Sequence, residues 1–241
     1  MKKLITLGIA LSMVAITHAQ WGKKVNGDGN FVTKERSVGD YNQVAVAGSF
    51  DVALIEGQIG EITLEGESNL LEYVVTEVKN GKLLIKVKNG VNLKPSGWRN
   101  GIQINVPVEF LEGVSLSGSG EILGKTVIKS NNFSANISGS GEVSLTVEAQ
   151  SVEALLSGSG DITLAGRTAD LEVSVSGSGD IQAYDLEADR VTAAVSGSAD
   201  VNITANESLD ARVSGSGGIR YRGNPSTLKT KSSGSGDISK G

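Results

Sequence analysis

Along the second half of the chain, apolar and polar residues alternate with a period of two and keep one parity over long stretches. Leu171, Val173, Val175, Gly177, Gly179, Ile181 and Ala183 share one parity; Glu172, Ser174, Ser176, Ser178, Asp180 and Gln182 share the other. The series Val152, Ala154, Leu156, Gly158, Gly160, Ile162 and Leu164 repeats the pattern, as does Phe133, Ala135, Ile137, Gly139, Gly141, Val143 and Leu145. Successive side chains of a strand point to opposite faces, so the pattern predicts strands with one aliphatic face. Two glycines on that face remove side chains that would hold the walls apart, which predicts a bend or pinch of the backbone. Less patterned residues between units, such as Ala165 to Asp170 and Asp185 to Arg190, predict turns.

The glycine pair belongs to a repeated motif, S-G-S-G, an acidic residue, then Ile or Val. Copies begin at Ser117, Ser138, Ser157, Ser176, Ser196, Ser214 and Ser233, at intervals of 21, 19, 19, 20, 18 and 19 residues. The fifth reads SGSADV and the sixth SGSGGI. A unit this short cannot bury its own apolar face, but a stack of units can, each strand pairing in parallel with its copy about 4.8 Å away. An antiparallel sandwich would not need the same four residues at the same place in every unit. The pattern therefore predicts an all-β chain, a right-handed single-stranded parallel β-helix with coils of about 19–20 residues.

Upstream the pattern loosens. Residues 20–39 lack periodicity and are expected to be a flexible lead-in. Residues 40–112 are expected to form a less regular, β-rich N-terminal cap, and residues 113–241 the regular coils. Within the cap, Val44, Val46, Gly48, Phe50, Val52 and Leu54 look like a degenerate early copy of the repeat, and Ile62 and Leu64 continue it. Leu70 to Asn80 fits either a short helix or an irregular crossing. Asn80-Gly81 marks a turn before KLLIKV, Trp98 falls in a loop, and Ile102, Ile104 and Val106 form a strand closed by Pro107.

Met1 to Ala19 has Lys2 and Lys3, an apolar run from Leu4 to Ile16, and Thr17-His18-Ala19 at its end, the plan of a secretory signal peptide. Its removal takes the 22 basic residues to 20 against 27 acidic ones, a net charge of −7, and removes the one histidine. That balance disfavours nucleic acid and anionic lipid. With no cysteine there is neither a disulfide framework nor an N-terminal lipidated cysteine. No later apolar run is long enough to cross a bilayer. The expected location is the periplasm, the outer cell surface or the extracellular medium.

Taken together, VAVAGSFDVALIEG, Tyr73 in LEYVV, NGKLLIKV, IQINVP and the serial SGSGDI units resemble the head GIN domain family of putative autotransporter adhesins, over roughly Tyr41 to Tyr221. The resemblance implies a β-helical fold on a less regular N-terminal part and an extracytoplasmic setting. It carries over no catalytic residues.

If the aliphatic parity faces inward, two serine columns and an acidic column face outward. The acidic column is Glu121, Glu142, Asp161, Asp180, Asp200 and Asp237, interrupted by Gly218. The expected role is a solvated column that accepts hydrogen bonds from hydroxyls or turn amides and sets register. Calcium on Asp161, Asp180 and Asp200 is an alternative, but each coil offers one carboxylate where calcium takes 6 to 8 oxygens. An ordered lattice of hydroxyls facing ice or a crystal ranks below it. Candidate binding-surface residues are Ser157, Ser159, Asp161, Ser176, Ser178, Asp180 and Trp98; Tyr73 reads as an anchoring aromatic.

Some secreted β-helices act on polysaccharides, so an enzyme or a carbohydrate-binding β-helix is a further alternative. The mature chain has no histidine or cysteine for nucleophilic catalysis, and its arginines fall mostly at turns or near the end. The resulting expectation is a secreted, non-enzymatic, adhesin-like protein without a cofactor. It would present a flat acidic, serine-rich face to an envelope, extracellular-matrix or glycan partner. Thr230 and Ser232, with Lys229 and Lys231 beside them, make the last unit polar, so a monomer or weak dimer is expected.

Overall fold

A computed structural model describes residues 22–97 and 101–241; the segment read as a signal peptide and Trp98 lie outside the described residues. In chain order the elements are β1 (Lys23–Asn26), β2 (Phe31–Ser37), β3 (Gln43–Gly48), β4 (Asp51–Glu56), β5 (Glu61–Glu67), α1 (Ser68–Leu71), β6 (Val74–Lys79), β7 (Lys82–Val87), β8 (Val91–Lys94) and β9 (Gln103–Val108). They continue with β10 (Gly113–Gly118), β11 (Glu121–Gly139), β12 (Glu142–Gly158), β13 (Asp161–Gly177), β14 (Ile181–Gly197), β15 (Asp200–Gly215), β16 (Gly218–Arg222), β17 (Thr227–Gly234) and β18 (Asp237–Lys240).

From β10 onward each strand pairs in parallel with its copy in the next coil, and the chain forms a β-solenoid of about 7 turns. Like stands over like. The first motif serine aligns as Ser117, Ser138, Ser157, Ser176, Ser196, Ser214 and Ser233, and the glycine after it aligns in the same order. Leu171, Val173, Val175, Ile181 and Ala183 are buried, as are their counterparts in neighbouring coils, so the aliphatic parity forms one continuous core. No single coil closes that core, so its stability comes from stacking.

Of the segments expected to turn between units, Ala165 to Asp170 stays in the ladder except at Ala169, while along Asp185 to Arg190 the register with the following coil shifts. Thr146 to Ala149 pair with Ala165 to Thr168, and β12 and β13 each run unbroken for 17 residues. Where successive corners stay in register, as in β12 and β13, their amides and carbonyls are satisfied between coils and no separate turn is needed.

The N-terminal part departs from consecutive stacking. β3 and β4 form a coil on which β10 and the start of β11 sit in register, Gly48 under Gly118 and Asp51 under Glu121. The other side of that coil is covered by later residues: β7 pairs in parallel with β3, and β9 with β4. The chain thus lays down its second coil first, returns to place one beneath it, then passes on. Antiparallel strands close the bottom: β6 covers β7, β5 covers part of β9, and β2 covers β5.

Three expectations need correction. The lead-in is not loose: β1 pairs with β8 and β2 with β5 in defined register, since a capped end needs strands to satisfy its exposed edge. Leu70 to Asn80 is neither helix nor crossing throughout, because α1 ends at Leu71 and β6 follows. Pro107 does not close its strand but pairs with Ile55 inside β9, beyond the last contact with β5, where a residue lacking an amide hydrogen is tolerated.

Candidate binding surface

The S-G-S-G motif makes one corner of every coil, and its two glycines serve different physical ends. The first has φ between +105° and +141° in the repeat copies, a region side chains rarely enter. A Cβ there would also strike the carbonyl of the same glycine one coil below, as Gly158 would strike Gly139. The second, Gly160 for example, has no left-handed φ, but its Cβ would overlap the backbone of Gly141. Both glycines therefore let the corners of successive coils touch.

This corner fixes the serines. Ser117, Ser138, Ser157, Ser176, Ser196, Ser214 and Ser233 are exposed and in register. The second serines, Ser159 and Ser178, are exposed at the apex, and their backbone amides donate to the Gly139 and Gly158 carbonyls at 2.9 Å. Among the described residues, none of the seven first-serine hydroxyls bonds to another protein group.

The acidic column is partly structural. In the lower coils the amides of Glu121, Glu142 and Asp161 donate to the carbonyls of Phe50, Gly120 and Gly141 at 2.9–3.0 Å. In the next coil a side chain takes over as acceptor. The Asp180 amide donates to Asp161 Oδ1 at 3.0 Å, and the Asp200 amide to Asp180 Oδ1 at 2.8 Å. The three aspartates named for calcium thus stand one per coil, two of them engaged by the backbone. No group of three or more His, Cys, Asp or Glu able to hold a metal ion occurs among the described residues.

The arginines lie elsewhere on the coil. Lys129, Glu148, Arg167 and Glu187 stack in register with alternating sign, and Arg167 donates to Glu187 at 3.2 Å. Arg190 grips Asp170 with two bonds of 2.7 and 2.8 Å, which hold the Asp170 carboxyl below its ordinary range. Arg222 lies 3.9 Å from the centre of the Tyr184 ring.

Sequence reasoning missed three residues that build the cap. Glu67 is fully buried, and its carboxylate accepts from the amides of Gly29 (2.6 Å) and Ser96 (2.9 Å). Burial pushes its pKa up, but the bonds from Ser96 and Gly29 outweigh that and hold it below the ordinary value. Arg36 donates from β2 to the carbonyls of Leu71 and Val74, both at 2.6 Å, tying the lead-in to the end of α1. Tyr41 donates to the Pro107 carbonyl at 2.6 Å, and burial pushes its pKa up to about 12. A lone buried glutamate in EITLEGE has no sequence signal, since its donors lie 38 and 29 residues away. Tyr73 is an anchor: Lys23 donates to its hydroxyl at 3.1 Å, and Lys23 and Lys88 lie 5.4 and 5.6 Å from its ring centre.

Solved structures share this architecture. A putative adhesin from Bacteroides fragilis is 24% identical, with a TM-score of 0.80 over 90% of this chain and 99% of that one. A putative lipid binding protein from Parabacteroides distasonis is 28% identical, with a TM-score of 0.75 over 91% and 100% of the two chains. A putative adhesin from the same organism is 26% identical, with a TM-score of 0.72 over the same shares. A comparison with curated proteins found no match. No helix among the described residues is long and apolar enough to cross a membrane. The family model described as "putative auto-transporter adhesin, head GIN domain" matches residues 40–225, and the chain belongs to that family.

Proposed function

We propose that the protein is a non-enzymatic, adhesin-like module, exported by Met1 to Ala19, that binds an extended polar partner at the envelope or outside the cell through its serine columns. The observation that carries this reading is the set of seven exposed serine hydroxyls, stacked in register and without a protein partner among the described residues. Hydrogen-bonding groups repeating about every 4.8 Å suit a partner whose own groups repeat, such as a glycan or matrix chain. The family description and two of the three solved structures point to adhesion, and none of their names is that of an enzyme. The arginines fit the same reading, because Arg167, Arg190 and Arg212 are each taken up in an ion pair with a carboxylate.

The test is a panel of glycans and matrix proteins probed with the mature protein. A Ser157→Arg/Ser176→Arg variant is expected to lose at least about tenfold in affinity at an unchanged melting temperature, while Asp185→Arg, exposed beyond the glycine corner, keeps binding. Equal loss in both variants, or release of reducing ends from any glycan, would overturn the proposal.

A further inference from the structure

The two ends of the solenoid are finished differently. At the N-terminal end β6, β5 and β2 lie antiparallel over the first coil. At the other end β17 pairs with β15 on one side only, and all eight of its residues are exposed. Its inward positions, Leu228, Thr230 and Ser232, stand over buried Leu209, Ala211 and Val213, and Leu228 is 48% exposed. Its outward positions include Lys229 and Lys231, stacked on Asp210 and Arg212. Asp210 is already bonded to Arg212 at 3.0 Å, and neither lysine has a carboxylate partner among the described residues. A bare, basic edge thus belongs to a chain that is acidic as a whole.

The β17 of a second copy fits this edge poorly in its longest in-phase registers. Opposed residues of an antiparallel pair lie on the same face, so a matching β17 keeps inward residues opposite inward ones. Centred on Thr230, such a pair sets Lys229 against Lys231 twice. Centred on Lys229 or on Lys231, it sets that lysine against itself. Like charges directly opposed disfavour each of these registers.

We infer that β17 is an acceptor edge for an extended segment of another protein that carries carboxylates at alternate positions and small apolar residues between them. Its main chain would add a strand to the solenoid, its carboxylates would meet Lys229 and Lys231, and its apolar residues would cover Leu228. This surface shares only Ser233 with the first-serine column, and its failure would leave the reading of the other six serines untouched.

The probe is a fluorescein-labelled eight-residue peptide alternating glutamate and valine, titrated into the mature protein and followed by anisotropy. It is expected to bind, with its lysine–valine counterpart at least about tenfold weaker, and Lys229→Glu/Lys231→Glu is expected to reverse that preference. Only alternate amides of an added strand face its neighbour, so N-methylation in one phase abolishes binding and in the other preserves it. Absence of binding, equal binding to wild type and the charge-reversed variant, or binding that survives N-methylation in both phases would overturn the inference. So would a wild-type dimer in sedimentation that Lys229→Glu/Lys231→Glu dissolves.

Discussion

Gly177→Ala tests directly whether the coils touch at the S-G-S-G corner. Gly177 has φ +141°, and a Cβ there would overlap the Gly158 carbonyl oxygen one coil below. Backbone strain contributes roughly 2 kcal/mol and the overlap roughly 2 more, so a loss of about 4 kcal/mol is expected. Two controls separate these terms. Gly90 has φ +72° with open space around it, so Gly90→Ala carries strain alone, about 1 kcal/mol. Gly179 lacks the left-handed φ but faces the backbone of Gly160, so Gly179→Ala carries overlap alone. The overlap is no smaller than at Gly177, and since the following coil accommodates a buried alanine, Ala199, in the same position of the motif, about 2 kcal/mol is expected. Urea unfolding followed by far-ultraviolet circular dichroism gives all three values. If Gly177→Ala is no more destabilising than Gly90→Ala, contact between stacked corners is not what selects glycine there.

Two further substitutions test the acceptors that replace backbone carbonyls. Asp180→Asn keeps an oxygen for the Asp200 amide and removes one charge from the column, so denaturant stability should hold or rise; Asp180→Ala strands that amide and should cost about 1–2 kcal/mol. Equal effects from both would show that the bond is immaterial. Glu67→Gln should cost about 1–3 kcal/mol at pH 7. Because the folded-state pKa of Glu67 lies below its ordinary value of 4.5, its ionisation stabilises the fold above that value and ceases to do so as pH falls through the lowered one. The difference in urea midpoint between wild type and Glu67→Gln should therefore be constant near neutrality and shrink below about pH 4.5. A difference unchanged down to pH 3 would show that the carboxylate's charge plays no part.

The regular coils were legible because vertical stacking imposes two constraints that sequence displays directly, a period of two along each strand and a period near 19 between coils. Leu171, Val173 and Val175 could be placed inward from parity alone, and they are buried. The degenerate copy at Val44 to Leu54 was also legible, because Gly48 keeps the register of the later glycines. The cap was not. Its coil order is inverted, and β7 in place beneath β3 depends on pairing between residues about 40 apart that share no motif. The lead-in strands were hidden for a related reason. β2 alternates half-buried and exposed residues with charges on both faces, so FVTKERS carries little apolar periodicity, and its partner in β5 is 30 or so residues away. The serine columns were legible as positions, while the use of Asp161 and Asp180 as ladder acceptors depends on a change of bonding between otherwise identical coils.

That last difference decides how the binding surface should be probed. The corner is shaped by glycine backbones and by serine amides, so the first-serine hydroxyls have no structural task and can be replaced without opening the ladder. The aspartates beside them are different: removing Asp161 or Asp180 withdraws the acceptor for an amide in the next coil. An alanine scan of the acidic column would then report lost binding and loosened stacking together. Asparagine at Asp161 and Asp180 retains the acceptor oxygen and removes the charge, so a partner that reads the column's charge should bind these variants less well with the melting temperature preserved. A partner that reads the hydroxyls alone should bind them as it binds the wild type.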